Sequence, residues 1–146
     1  MQQVSYERDF YGWLMQNAKL MREGNFAEID AGNIAEELES MGKSEKRELI
    51  SRLAILLAHL LKWQFQPTKR STSWKNTIAV QRIDIYGLLE DSPSLRHEIE
   101  EKISVAYEKA MLGAENETGI EKACFPEQCP FTLDQMLDQN FFPDNQ

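Results

Sequence analysis

The amino-acid sequence predicts an all-α fold. Apolar residues recur at three- and four-residue spacing, the strict alternation of a half-buried strand is almost absent, and Ser, Pro and Gly stand where helices would start or stop. The expected architecture is a single-domain helical bundle of about five main helices plus a short C-terminal helix. It covers 1–146, with 1–5 and 144–146 as frayed tails. With 146 residues, 42% hydrophobic and 27% charged, the chain can build one core without metal or disulfide staples.

Taken in order, the first helix sets Tyr6, Phe10, Trp13, Leu14, Asn17 and Met21 in one arc, with Asp9 as N-cap and Gly24 as stop. A second starts at Asp30 or Asn33, aligns Ile34, Leu38 and Met41 with Glu37 at their flank, and ends at Gly42. Ser44 caps the third, which Pro67 ends near Gln66, a length of about 30 Å at 1.5 Å per residue. Leu49, Ile50, Leu53, Leu56, Leu57, Leu60 and Trp63 give it a continuous seam, marking it as the central helix. After a basic turn, a fourth helix runs from Thr72 or Ser73 to Glu90, facing inward with Trp74, Ile78, Ile85, Leu88 and Leu89. Ser92-Pro93 opens a fifth, which Gly113 closes; 114–130 reads as loop. Thr132 and Gln135 form a capping box for a last helix through about Gln139, and Phe141, Phe142 and Pro143 tuck the tail onto the bundle.

Composition excludes several classes. No apolar run approaches the roughly 18 residues of a membrane span, and no basic-then-apolar leader precedes the first helix, so a cytoplasmic protein is expected. Cys124 and Cys129 have no second Cys/His pair to complete a zinc site, and Leu56 and Ser94 stand three residues before His59 and His97, where a bundle di-metal site needs Glu. No metal and no cofactor are expected. Phosphate loops, nucleophile elbows and His-Glu-x-x-His motifs are missing.

Charge is divided unevenly. Between Lys43 and Arg82 nine bases face two acids, +7, which leaves −15 for the rest of a chain whose net charge is −8. Internal neutralisation of basic helices by acidic ones is favoured over an external anion.

The candidate site lies on the third helix, where Glu45, Arg52, His59 and Gln66 recur every seven residues and form a polar column beside the apolar seam. Lys62 adjoins it, and Gln81 falls on the apolar face of the fourth helix. Buried amides and imidazoles left unpaired cost about 1–3 kcal/mol, so these groups are expected to bond to one another, to water or to a ligand. One reading is a network that fixes helix register. The other makes His59 a general base or anion contact, oriented by Glu37 or Glu45, with Lys62, Gln66, Arg70, Gln81 and Arg82 as binding groups. The bases of 62–82 interleave with aromatics as in nucleic-acid binders, but Trp63 and Trp74 fall on apolar faces and the overall charge is negative. Three functions are expected, in this order: binding of a protein partner or self-assembly, with an exposed apolar patch near Phe141 and Phe142; a hydrolytic or nuclease-like enzyme around His59; phosphate or nucleic-acid binding by the basic segment.

Several stretches resemble a known family: Asp9-Phe-Tyr-Gly-Trp13, Glu36-Glu-Leu-Glu-Ser-Met-Gly-Lys-Ser-Glu45, His59-Leu-Leu-Lys-Trp-Gln-Phe-Gln-Pro67, Arg70-Ser-Thr-Ser-Trp74, Gln81-Arg82, Asp91-Ser-Pro-Ser-Leu-Arg96 and Cys129-Pro-Phe-Thr132. In this order they resemble the bacterial family catalogued as domain of unknown function number 29. The resemblance implies a helical fold and carries no activity, ligand or catalytic residue to transfer. It draws attention to His59, Lys62, Gln66, Arg70 and Gln81, which lie in those stretches.

Overall fold

The computed structural model describes residues 2–144 and, among them, five α-helices and no strand: α1 (Phe10–Arg22), α2 (Ala31–Phe65), α3 (Thr72–Asp91), α4 (Leu95–Thr118) and α5 (Leu133–Leu137), with 3-10 turns at Pro67–Lys69 and Lys122–Cys124. They fall into two compact units, 1–44 and 45–146, and the boundary lies inside α2 instead of in a linker.

In the first unit, α1 opens where the Asp9 carboxylate accepts the Gly12 N–H at 3.0 Å. It closes at Gly24, whose φ of +76° only glycine adopts freely. Asn25 N–H then reaches Leu20 O and Gly24 N–H reaches Met21 O, satisfying two of the last carbonyls. Trp13 and Leu20 are buried, and a polar lock ties α1 to the start of α2. Trp13 Nε1 donates to Asp30 (2.9 Å), Asn17 Oδ1 accepts the Asp30 N–H (2.8 Å), and Asn17 Nδ2 donates to Trp13 O (2.9 Å). Hydrogen bonds from Asn33 and Trp13 hold the Asp30 carboxyl below the usual carboxylate range.

At the N-terminus, residues 2–5 hydrogen-bond to α1. Val4 N–H donates to Gln16 Oε1 and Gln16 Nε2 donates to Gln2 O, both at 2.9 Å, so the segment is pinned to α1. Met1, Asn145 and Gln146 lie outside the described residues.

The second and third expected helices are one. Gly42 and Ser44 lie within α2, which runs for 35 residues. Glycine stops a helix by turning left-handed, but Gly42 does not take a positive φ; it costs α2 only the ~1 kcal/mol of an interior glycine. The same reasoning moves the end of α4: Gly113 stays helical, and the helix runs on past it to Gly119, which ends it at φ +78°. At the other end of α4, Ser92 caps the C-terminus of α3 and the helix begins at Leu95 after a Ser92-Pro93 turn. α3 starts at Thr72, as expected, and Ser71 before it is the N-cap, accepting the Trp74 N–H.

The second unit is built on the seam of α2. Leu49, Leu53, Leu56, Leu57 and Leu60 are at most 1% exposed, and they meet Ile78 and Ile85 of α3 and Ile99, Ala106, Ala110 and Ala114 of α4 in one core. The Thr132/Gln135 capping box is present at α5, which ends at Leu137. The tail returns as expected: Phe142 packs on Trp63 (4.7 Å between ring centroids), Phe141 on Phe131, and Pro143 is buried.

Candidate functional site

The polar column of α2 is half-buried at three of its four positions: Arg52, His59 and Gln66 are partly covered, whereas Glu45 is exposed. Arg52 Nη1 donates to Asp84 of α3 at 2.8 Å, and its Nη2 pairs with Glu48 at 3.1 Å. Gln81 stands at 3.5 Å from the same Nη1 and is only half-buried. The deeply buried polar group of α3 is instead its neighbour Arg82, 1% exposed, because the core face of α3 centres on Ile78, Ile85 and Leu89 and Arg82 falls on their arc.

Arg82 fastens the C-terminal segment to the core. Its Nε donates to Met136 O at 2.7 Å and its Nη2 to Gln135 O at 3.1 Å, satisfying end carbonyls of α5, and its guanidinium lies 5.6 Å from the Phe142 ring centroid. Burial lowers its pKa and Asp138 opposes that shift. Nη1 has no hydrogen-bond partner.

His59 sits beside a second buried cation. Lys62, 6% exposed, pairs with Glu117 of α4, and its ammonium rests 4.7 Å from the Trp74 ring centroid. The His59 Nδ1 lies 2.9 Å from Ile55 O within its own helix. Burial pushes the imidazole below its ordinary pKa, with the hydrogen bond to Ile55 opposing and Lys62 reinforcing the shift. Neither proposed orienting acid reaches it. Glu45 is fourteen residues away on α2, about 21 Å along the axis, and Glu37 accepts a hydrogen bond from Tyr6 inside the first unit. The carboxylate that does act on His59 is Glu117, which sequence reasoning missed because 114–130 reads as loop. Gln66 is half-buried beside Arg70, whose Nε donates to Trp63 O at 2.8 Å and whose guanidinium covers the Trp63 ring at 5.0 Å.

Part of the basic segment is thus consumed internally. Lys46 pairs with Glu98, Arg52 with Asp84 and Lys62 with Glu117, so acids of α3 and α4 neutralise bases of α2. Among the described residues, Lys69 and Lys75 are the exposed cations between 62 and 82. No group of three or more His, Cys, Asp or Glu among the described residues could hold a metal ion; Cys124 is exposed and Cys129 half-buried, both as free thiols. No described helix is long and apolar enough to cross a membrane.

Two hollows adjoin on the flank of α4, about 740 and about 400 Å³, sharing Glu108, Met111 and Glu127. The Tyr107 hydroxyl beside them donates to Pro126 O at 2.6 Å, and the Lys122–Glu108 pair ties the loop after α4 back to that helix. A third hollow, about 290 Å³, belongs to the first unit and is lined almost wholly by apolar side chains. Trp13 and Asn17 are buried in it, and Leu14, Met21, Ile34, Leu38 and Met41 form its walls. The exposed apolar patch expected near Phe141 and Phe142 is therefore corrected: those rings are half-buried on the core of the second unit, and the patch lies on α1 and the start of α2.

Fold and site define a class: an all-helical protein whose buried charges are spent on holding helices together and whose first unit carries an almost wholly apolar hollow. The chain belongs to the family described as Domain of unknown function DUF29, which it matches over residues 5–142. No curated protein and no solved structure matches it.

Proposed function

We propose that this chain is a protein-interaction module and that the groove of its first unit is the surface it offers. One observation carries the reading. Among the described residues, seven of the thirteen exposed large hydrophobic side chains fall before residue 45, including Tyr11 at 73%, Leu38 at 64% and Met41 at 64%. Single exposed apolar residues are ordinary, but three of these seven, Leu14, Leu38 and Met41, line one apolar groove, and such a grouping is the mark of a covered surface. The polar column supports the same choice. Its cations are paired or stacked within the fold, and His59 lacks the carboxylates that would make it a general base in the manner expected. The two free thiols suit a reducing compartment, and we place the module in the cytoplasm.

The test is the paired variant Leu38→Glu, Met41→Glu, both at solvent-facing positions where the helix survives substitution. Cross-linking of the purified chain, and capture from native extract, are compared with the unaltered protein. A complex formed by the unaltered chain and lost in the variant is the expected result. A chain that forms no complex with itself or with any other protein refutes the reading.

A further inference from the structure

We infer that α2 is hinged: the turn from Gly42 to Glu45 opens from helix into a helix stop followed by a helix start, with Gly42 turning left-handed and Ser44 becoming the N-cap of the part that follows, so that the first unit moves as one body. The inference is separate from the reading of the groove and needs no partner.

A helix inside a protein is held mostly by the side it buries, and short stretches without such a side are marginal in water. α2 has one where the two units meet along its length. From Leu38 to Glu48 every residue but Lys46 is exposed. On one side of the turn, Leu38 and Met41 line the groove of the first unit. On the other, Lys46 pairs with Glu98 at 2.9 Å, just before the buried Leu49. Between these anchors Lys43, Ser44 and Glu45 make no side-chain hydrogen bond or ion pair with any described residue, and a Cβ on Gly42 would meet nothing within 4 Å. This turn of α2 rests on its backbone hydrogen bonds alone.

Its residue types suit the open form as well as the helical one. Within the helix, Gly42 gives up more backbone freedom than any other residue would, and the Ser44 hydroxyl competes for nearby backbone groups. In the open form both are put to use. Gly42 takes the positive φ that Gly24 and Gly119 take after α1 and α4, and the Ser44 hydroxyl accepts the N–H of Lys46 or Arg47. Lys43 then follows a helix C-terminus and Glu45 opens an N-terminus, each beside the end charge that favours it. Caps replace backbone bonds that opening breaks, which brings the two forms close in free energy. Met41 still ends the first helical part, so the groove keeps its walls in both.

With Cys124 and Cys129 replaced by serine, spin labels on Gly32→Cys and Ser51→Cys, both exposed positions, read the distance across the turn in the full chain. A continuous helix sets them about 28 Å apart along its axis. Double electron–electron resonance should show that distance and a second, shorter population. Gly42→Ala with Ser44→Ala removes the left-handed residue and the cap, and should shrink the shorter population at least about tenfold. Glu45→Pro, whose ring fits the first position of a helix but not its interior, should make the shorter population dominant in a chain that still folds. A single population near 28 Å in the unaltered sequence, or a shorter one that Gly42→Ala with Ser44→Ala leaves in place, overturns the inference. A Glu45→Pro chain that unfolds instead of bending overturns it too, because the turn is then held as firmly as the rest of α2.

Discussion

Replacing Arg82 with alanine removes the fastening between α3 and the C-terminal segment, and the structure sets the size of the effect. Two hydrogen bonds from an ionised donor, at 2.7 and 3.1 Å to Met136 O and Gln135 O, are lost, each worth about 1.5–3 kcal/mol where the carbonyl is left unpaired. The void beside Phe142 adds about 1 kcal/mol or more. Against this stands the relief of no longer burying a guanidinium whose Nη1 has no partner, a cost of several kcal/mol. The net is a loss of about 3 kcal/mol. With a urea slope of about 2 kcal/mol/M, the midpoint should fall by about 1.5 M. Tryptophan fluorescence reports the transition because Trp63 packs on Phe142, and amide exchange should quicken over 133–143. Arg82→Lys should recover less than half, since one ammonium cannot reproduce the planar fork. A midpoint unchanged within about 0.3 M, with protection over 133–143 intact, would refute the assignment of Arg82 as the fastening.

Three further outcomes are expected. The Tyr107 phenol, its pKa pushed up to about 12 by burial, should ionise well after an ordinary tyrosine in an ultraviolet titration; the unfolded chain loses that proton first, so stability should fall as pH rises from 10 towards 12, and Tyr107→Phe should flatten this window. The His59 ring should titrate below its ordinary value of 6.5 by NMR; because the unfolded chain takes up the proton first, the folded state loses stability as pH drops through 6.5, and a midpoint above 6.5 would contradict the burial described. Gly119→Ala should destabilise by about 1 kcal/mol through its φ of +78°, whereas Gly113→Ala, helical and with its nearest neighbour 3.9 Å away, should stabilise by a few tenths to about 1 kcal/mol; equal effects in thermal melts would contradict the two conformations.

Periodicity carried most of the fold. The seam from Leu49 to Trp63 reads directly as a core helix because packing imposes its spacing on the sequence, and the Asp9 cap and the Thr132 capping box are local hydrogen-bond chemistry. What spacing does not encode is the backbone state of a glycine. Gly24 and Gly119 turn left-handed where a helix ends, while Gly42 and Gly113 stay helical because the helix continues through them, and the residue type is the same in both cases. Polar residues beside an apolar seam were legible on α2, but the deep burial of Lys62 and Arg82 was not. Their partners were not legible, because Glu117 lies in a stretch read as loop and Arg82 bonds to carbonyls that any residue possesses. The exposed groove was hidden for a different reason: Leu38 and Met41 look like core residues in any helical pattern, and only coordinates reveal that the chain leaves them uncovered.

The reach of Arg82 also constrains the order of assembly. Its acceptors, Gln135 O and Met136 O, come 53 and 54 residues later in the chain. On a ribosome, the hydrophobic seam and α3 are complete long before those carbonyls emerge, and until then a guanidinium destined for the interior has only water to serve it. Nascent chains should therefore remain loosely collapsed, with α3 dynamic, and lock only once residues 135 and 136 have left the ribosome.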